Sequence, residues 1–170
     1  VSIYENVDGV VTIEDNVFDG TTYSSLTASS QSSGGDLDDL TVTNNEFINF
    51  AGDDRQVFNN RDDNPQTLDV SCNWWGTTDP FAIQDVTTGD VSFLSFNTAP
   101  GGPCDGDGPV VNVTQDLSYL TIQAAIDEAV DGDAITVDDG TYNENVTIDV
   151  NNLNITSING AASTTIQGDG

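Results

Sequence analysis

Apolar and polar residues alternate along the first half of this chain in a pattern that returns at a fixed interval. Val11-Thr12-Ile13-Glu14-Asp15-Asn16-Val17-Phe18 recurs as Leu40-Thr41-Val42-Thr43-Asn44-Asn45-Glu46-Phe47 and again as Leu68-Asp69-Val70-Ser71-Cys72-Asn73-Trp74-Trp75. The shared form is aliphatic-x-aliphatic-x-x-Asn-x-aromatic, and the asparagines step by 29 and then 28 residues (16 to 45 to 73). Alternation with period two predicts strands, and a repeat of this length predicts stacked units that cannot bury their apolar faces alone. Asn16, Asn45 and Asn73 follow each strand, where an asparagine tolerates a left-handed corner and its amide can bond to the next unit. Phe18, Phe47 and Trp75 are expected to stack inside. Trp74 has the opposite parity, which faces it outward or packs it under a loop.

The pattern divides at Thr98-Ala99-Pro100-Gly101-Gly102-Pro103-Cys104-Asp105-Gly106-Asp107-Gly108-Pro109, whose prolines and glycines predict a linker or sharp connection over 98–109. Residues 1–97 hold the repeats, with polar loops expected at Ser24–Gly35 and Arg55–Asn64. Residues 110–170 begin differently. Thr121 is placed to cap a short helix over Ile122–Val130, whose positions 122, 125, 126, 129 and 130 share one apolar face, and Asp131-Gly132-Asp133 stops it. Strands are then expected at Ala134–Val137, Asn145–Ile148, Leu153–Ile158 and Thr164–Ile166. An amphipathic helix followed by short strands suits the capped end of a stacked array.

The run Leu120–Ala129, followed by Gly132-Asp133-Ala134-Ile135-Thr136-Val137 and Gly140-Thr141-Tyr142-Asn143-Glu144-Asn145-Val146, resembles the opening of right-handed parallel β-helix proteins of the pectate-lyase and pectin-methylesterase-like superfamily. There such a segment forms the N-terminal cap and first coil. Asn73-Trp74-Trp75-Gly76 is similar to the closing coil of extracellular repeat proteins of the same superfamily. The resemblance implies an all-β fold, a right-handed parallel β-helix (β-solenoid) of three strands per coil with one short capping α-helix. It also puts an end (1–97) before a beginning (110–170). Either the chain is cut from tandem modules, or residues 110–170 of one copy stack on residues 1–97 of the next. A head-to-tail contact of that kind propagates rather than closes. With Val1 in place of Met, the chain reads as a processed product or an excerpt.

Charge narrows the partners. The 29 acids face only Arg55 and Arg61, for a net charge of -27, with no His and no Met. That balance argues against nucleic acid and anionic membranes, which need a basic face, and it suits a medium whose salt screens self-repulsion. No apolar run approaches a membrane span, so no membrane insertion is expected. Cys72 and Cys104, with sequons at Asn112, Asn145 and Asn154, suggest an oxidising, extracellular or cell-surface setting and a Cys72–Cys104 disulfide.

Catalytic chemistry finds little support. With no His, zinc sites of the usual kind and His-dependent triads are excluded. Lyases of the resembled superfamily pair calcium-binding acids with a basic residue, but Arg55 and Arg61 lie among Asp53, Asp54, Asp62 and Asp63, where local ion pairing explains them. The esterases' paired aspartates lie beyond the matched segment, so no catalytic residue carries over. Calcium is the candidate cofactor, with Asp105 and Asp107 at alternate loop positions and further clusters at Asp36/Asp38/Asp39 and Asp131/Asp133, none in an EF-hand pattern. The expected function is structural: a building block stacking on copies of itself in a filament, stalk or adhesin. The alternative is a carbohydrate-binding or polysaccharide-degrading protein, with glycans as partners.

Overall fold

A computed structural model describes residues 2–4, 10–20, 24–29, 40–50, 55–60 and 66–168. The chain forms two compact units, Val1–Gly106 and Asp107–Gly170.

In the first unit the described strands are β1 (Ser2–Tyr4), β2 (Val11–Glu14), β3 (Val17–Asp19), β4 (Leu26–Ser29), β5 (Leu40–Thr43), β6 (Glu46–Ile48), β7 (Val57–Asn60) and β8 (Leu68–Asp69). After them come helix α1 (Pro80–Asp85) and strands β9 (Thr87–Thr88), β10 (Val91–Ser92), β11 (Phe96–Asn97) and β12 (Cys104–Gly106). Repeats one and two pair in parallel at the register their sequences share, Val11 with Leu40, Ile13 with Val42 and Phe18 with Phe47. A second parallel sheet runs β1-β4-β7-β9. Leu26, Ala28, Val42, Phe47, Val57, Leu68, Val70, Trp75, Ile83 and Phe96 are buried in this unit.

The second unit holds β13 (Val110–Asn112), β14 (Leu117–Tyr119), α2 (Ile122–Asp127), β15 (Ala134–Val137), β16 (Gly140–Tyr142), β17 (Asn154–Ser157) and β18 (Thr164–Ile166). Its core is Val110, Ile122, Ala125, Ile126, Ile135, Val137 and Tyr142. Thr121 caps α2 by accepting the Ala124 N–H at 3.1 Å, and Glu144 accepts the next free amides, Ile122 at 3.0 Å and Gln123 at 2.8 Å. These bonds satisfy donors that a helix start leaves open.

The expected right-handed parallel β-helix is not what forms. The sheets are short, of two or four strands, and mixed in direction. β11 and β12 are antiparallel, and β13 runs antiparallel to both β14 and β15. The third repeat does not extend the β2–β5 ladder: β8 is two residues long and pairs with β10 instead. A cleft of about 470 Å³ lies where that ladder would continue, lined by Leu40–Thr43 on one side and Thr67, Asp69, Ser71 and Cys72 on the other. Alternating sequence specifies a strand and its inward face, but not the direction of its neighbour.

Smaller expectations also change. Two segments read as polar loops begin with strands, because Leu26, Ala28 and Val57 point into the core; residues 30–35 and 61–64 lie outside the described residues. Asn145–Ile148 is not a strand, and Gly140–Tyr142 is. Helix α2 stops at Asp127, which leaves Val130 60% exposed. Within the Pro/Gly-rich stretch, Cys104–Gly106 is a strand pressed so closely under Phe96 that a Cβ at Gly106 would lie 2.4 Å from the ring.

Cys72 and Cys104 are disulfide-bonded, with Cα atoms 4.8 Å apart and a sequence separation of 32. Reduction is expected to cost the first unit about 3 to 4 kcal/mol by the loop-entropy estimate. Urea melts with and without dithiothreitol, followed by tryptophan fluorescence, check this, since both tryptophans belong to that unit.

Candidate functional site

Two features of the first unit arise directly from the repeat: an amide ladder and an aromatic stack. The backbone N–H and Nδ2 of Asn16 both donate to Asn45 Oδ1, at 3.1 Å each. Asn45 repeats this toward Asn73 Oδ1, at 2.8 and 3.0 Å. Each Nδ2 also donates to nearby carbonyls: Glu14 for Asn16, Ile13 and Thr43 for Asn45, and Val42, Val70 and Ser71 for Asn73. Asn45 and Asn73 are fully buried, so the ladder satisfies backbone groups that water cannot reach. The left-handed corner residues are Asp15, Asn44 and Cys72, each one position before the ladder asparagine, and not the asparagines themselves. The kink at that preceding residue turns the amide inward.

Beside the ladder, Phe18, Phe47 and Trp75 stack with ring centroids 4.8 and 4.6 Å apart, and Phe93 closes the far side of Trp75 edge-on at 6.5 Å. Trp74 is half-buried, and its strand position bridges Glu46. Arg55 lies 4.7 Å over the Phe58 ring, a cation–π contact that accounts for its place in the sequence. Arg61, Asp53, Asp54, Asp62 and Asp63 lie outside the described residues.

Both features end abruptly at the first repeat. Among the described residues no donor reaches Asn16 Oδ1, Phe18 has an aromatic neighbour on one side only, and Val10 and Val17 are 75% and 59% exposed. Among the described residues β2 and β3 each pair on one edge only. The second unit ends comparably. β17 and β18 are edge strands, Ile158 and Ile166 are more than half exposed, and an open apolar cleft of about 390 Å³ is lined by Ile122, Val137, Ile155, Ala161 and Ile166.

Asp105 is exposed at the end of the first unit and accepts from Thr98 Oγ1 at 2.8 Å, while Asp107 begins the second. Asp36, Asp38 and Asp39 lie outside the described residues. Asp131 accepts from Asn152. Among the described residues no group of three or more His, Cys, Asp or Glu side chains could hold a metal ion. Of the sequons, Asn145 and Asn154 are exposed, but Asn112 is fully buried. Its Nδ2 donates to Asp133 at 2.8 Å and its Oδ1 accepts from the amides of Thr114 and Gln115, so a glycan there is incompatible with the fold.

Among the described residues Asp133 is the carboxylate with the most hydrogen-bond donors on one oxygen. Its Oδ2 accepts from the Val130 amide, Asn112 and Gln115. The Val130 amide foremost, then the two side chains, hold its pKa below 3.8, against the opposing effect of burial. A depressed folded value means its stabilisation is present above about pH 4 and disappears as pH falls through that lower value. Asp133→Asn can keep an acceptor toward the three donors but cannot titrate. The stability gap between wild type and this variant is expected to close in acid, as read by circular-dichroism melts from pH 7 to pH 2.

A disulfide holds the first unit, and no helix among the described residues is long and apolar enough to cross a membrane. Comparison with protein-family models, curated proteins and solved structures finds no match to this chain.

Proposed function

We propose that this chain is a structural building block of an extracellular or cell-surface assembly, and that it works by joining end to end with copies of itself. The observation that carries this reading is that, among the described residues, β2, β3, β17 and β18 each pair on one side only and lie near exposed aliphatic side chains. Bare edges of this kind invite pairing with another chain, and proteins that avoid pairing cover or charge them. The disulfide and the exposed sequons at Asn145 and Asn154 favour an oxidising compartment.

Charge sets the condition for assembly. Bringing together chains of -27 each is unfavourable unless salt screens them. The Debye length falls from about 10 Å at 0.1 M to about 3 Å at 1 M. Sedimentation velocity is expected to show monomers in 0.1 M NaCl and concentration-dependent oligomers above 1 M, with rods in negative stain. Monomers at every salt and protein concentration would sink the proposal.

A further inference from the structure

Asn159-Gly160 is the single Asn-Gly pair in the chain. It lies in the turn between β17 and β18, and both residues are exposed. Gly160 takes the left-handed conformation, with φ at +83°, and a Cβ added there would meet nothing within 4 Å. Its carbonyl pins the turn by accepting from the Ser163 amide at 3.0 Å and from Ser157 Oγ at 3.2 Å. Its N–H, among the described residues, donates to no acceptor. The Asn159 side chain is tethered by an exposed bond, Nδ2 to Asp139 Oδ1 at 3.1 Å, which water readily replaces.

We propose that Asn159 is a site of spontaneous covalent modification, with the Gly160 backbone nitrogen as nucleophile and water as the one co-reactant. The nitrogen loses its proton to solvent and attacks Asn159 Cγ. The N–Cγ bond forms, the Cγ–Nδ2 bond breaks, and the side-chain amide leaves as ammonia after taking a proton from water. Water then opens the resulting succinimide at either carbonyl, giving aspartate, or isoaspartate with one more carbon in the main chain. Glycine permits the attack because a side chain on the following residue would crowd the approach of the nitrogen. Elsewhere the sequence and the fold withhold these conditions. Asn45, Asn73 and Asn112 are buried and precede Glu46, Trp74 and Val113, while the exposed Asn151 and Asn152 precede Asn152 and Leu153. The product adds one negative charge to the chain's -27, opposite Asp139, which loses its hydrogen-bond donor. Isoaspartate also lengthens the link between β17, registered on β15, and β18, registered on β16.

Mass spectrometry of the full chain, held folded at pH 8 and 37 °C and then digested with pepsin in acid, tests the site. The peptide containing Asn159 is expected to gain the mass difference between NH2 and OH, with isoaspartate among the products. Its rate should exceed that at Asn151 and Asn152 at least tenfold, and Asn159→Gln should abolish the gain in that peptide. A parallel incubation in urea reads the intrinsic rate of the unfolded chain. Conversion in urea with Asn159 intact in the folded chain would overturn the proposal, because the turn would then be protective. A gain that persists in Asn159→Gln, or equal rates at Asn151 and Asn152, would overturn the assignment to this residue.

Discussion

Trp75→Ala is expected to lower the stability of the first unit by about 4 kcal/mol, within the usual range for removing a buried aromatic ring. Trp75 is fully buried, stacks on Phe47 at 4.6 Å and meets Phe93 edge-on. Alanine therefore removes the middle of a column whose rings cannot close the gap without breaking the strand register beneath them. Among the described residues Trp75 Nε1 has no hydrogen-bond partner, so the loss is one of packing, not of a polar contact. Trp75→Phe puts into the third repeat the ring that the first two already use, and should cost less than about 1.5 kcal/mol. Urea unfolding followed by Trp74 fluorescence reads both variants; equal and small effects would show that the stack is not continuous.

Asn73→Ala is expected to cost about 3 to 5 kcal/mol, because several buried groups lose their partners together. Asn73 Nδ2 donates to Val42, Val70 and Ser71, and Oδ1 accepts two bonds from Asn45. A methyl group answers none of these, and water has no access to a fully buried position. Asn16→Ala supplies the contrast. Asn16 is exposed at the open end of the ladder, so water replaces its bonds and the loss should stay near 1 kcal/mol. Equal losses at the two positions, read as urea midpoints, would contradict a ladder buried at one end and open at the other.

The ladder and the stack were legible in the sequence because period and parity alone fix which residues face inward and which lie in line. The Thr121 cap was legible for a similarly local reason: its partner sits three residues away. Strand direction was not legible, since Val110–Asn112 reads identically whether its neighbours run parallel or, as they do, antiparallel. Burial was equally hidden. The sequon at Asn112 gives no sign that Asp133, 21 residues away, claims its amide. Two further signals lie in the sequence itself. Asp79-Pro80 is a helix start, with Asp79 accepting the Phe81 amide at 3.0 Å ahead of α1. Ile135–Tyr142 follows the repeat's form as well, with Gly140 where the asparagine would be.

Hydrogen exchange read by mass spectrometry, as a function of protein concentration above 1 M NaCl, tests the proposed edge-to-edge joining most directly. Amides of Val11–Asp19 and of Asn154–Ile166 should gain protection together as concentration rises, while those of Glu46 and Phe47, already bonded within the unit to the carbonyls of Asn16 and Trp74, stay constant. Protection of both edges that does not change with concentration would mean that no second copy pairs with them.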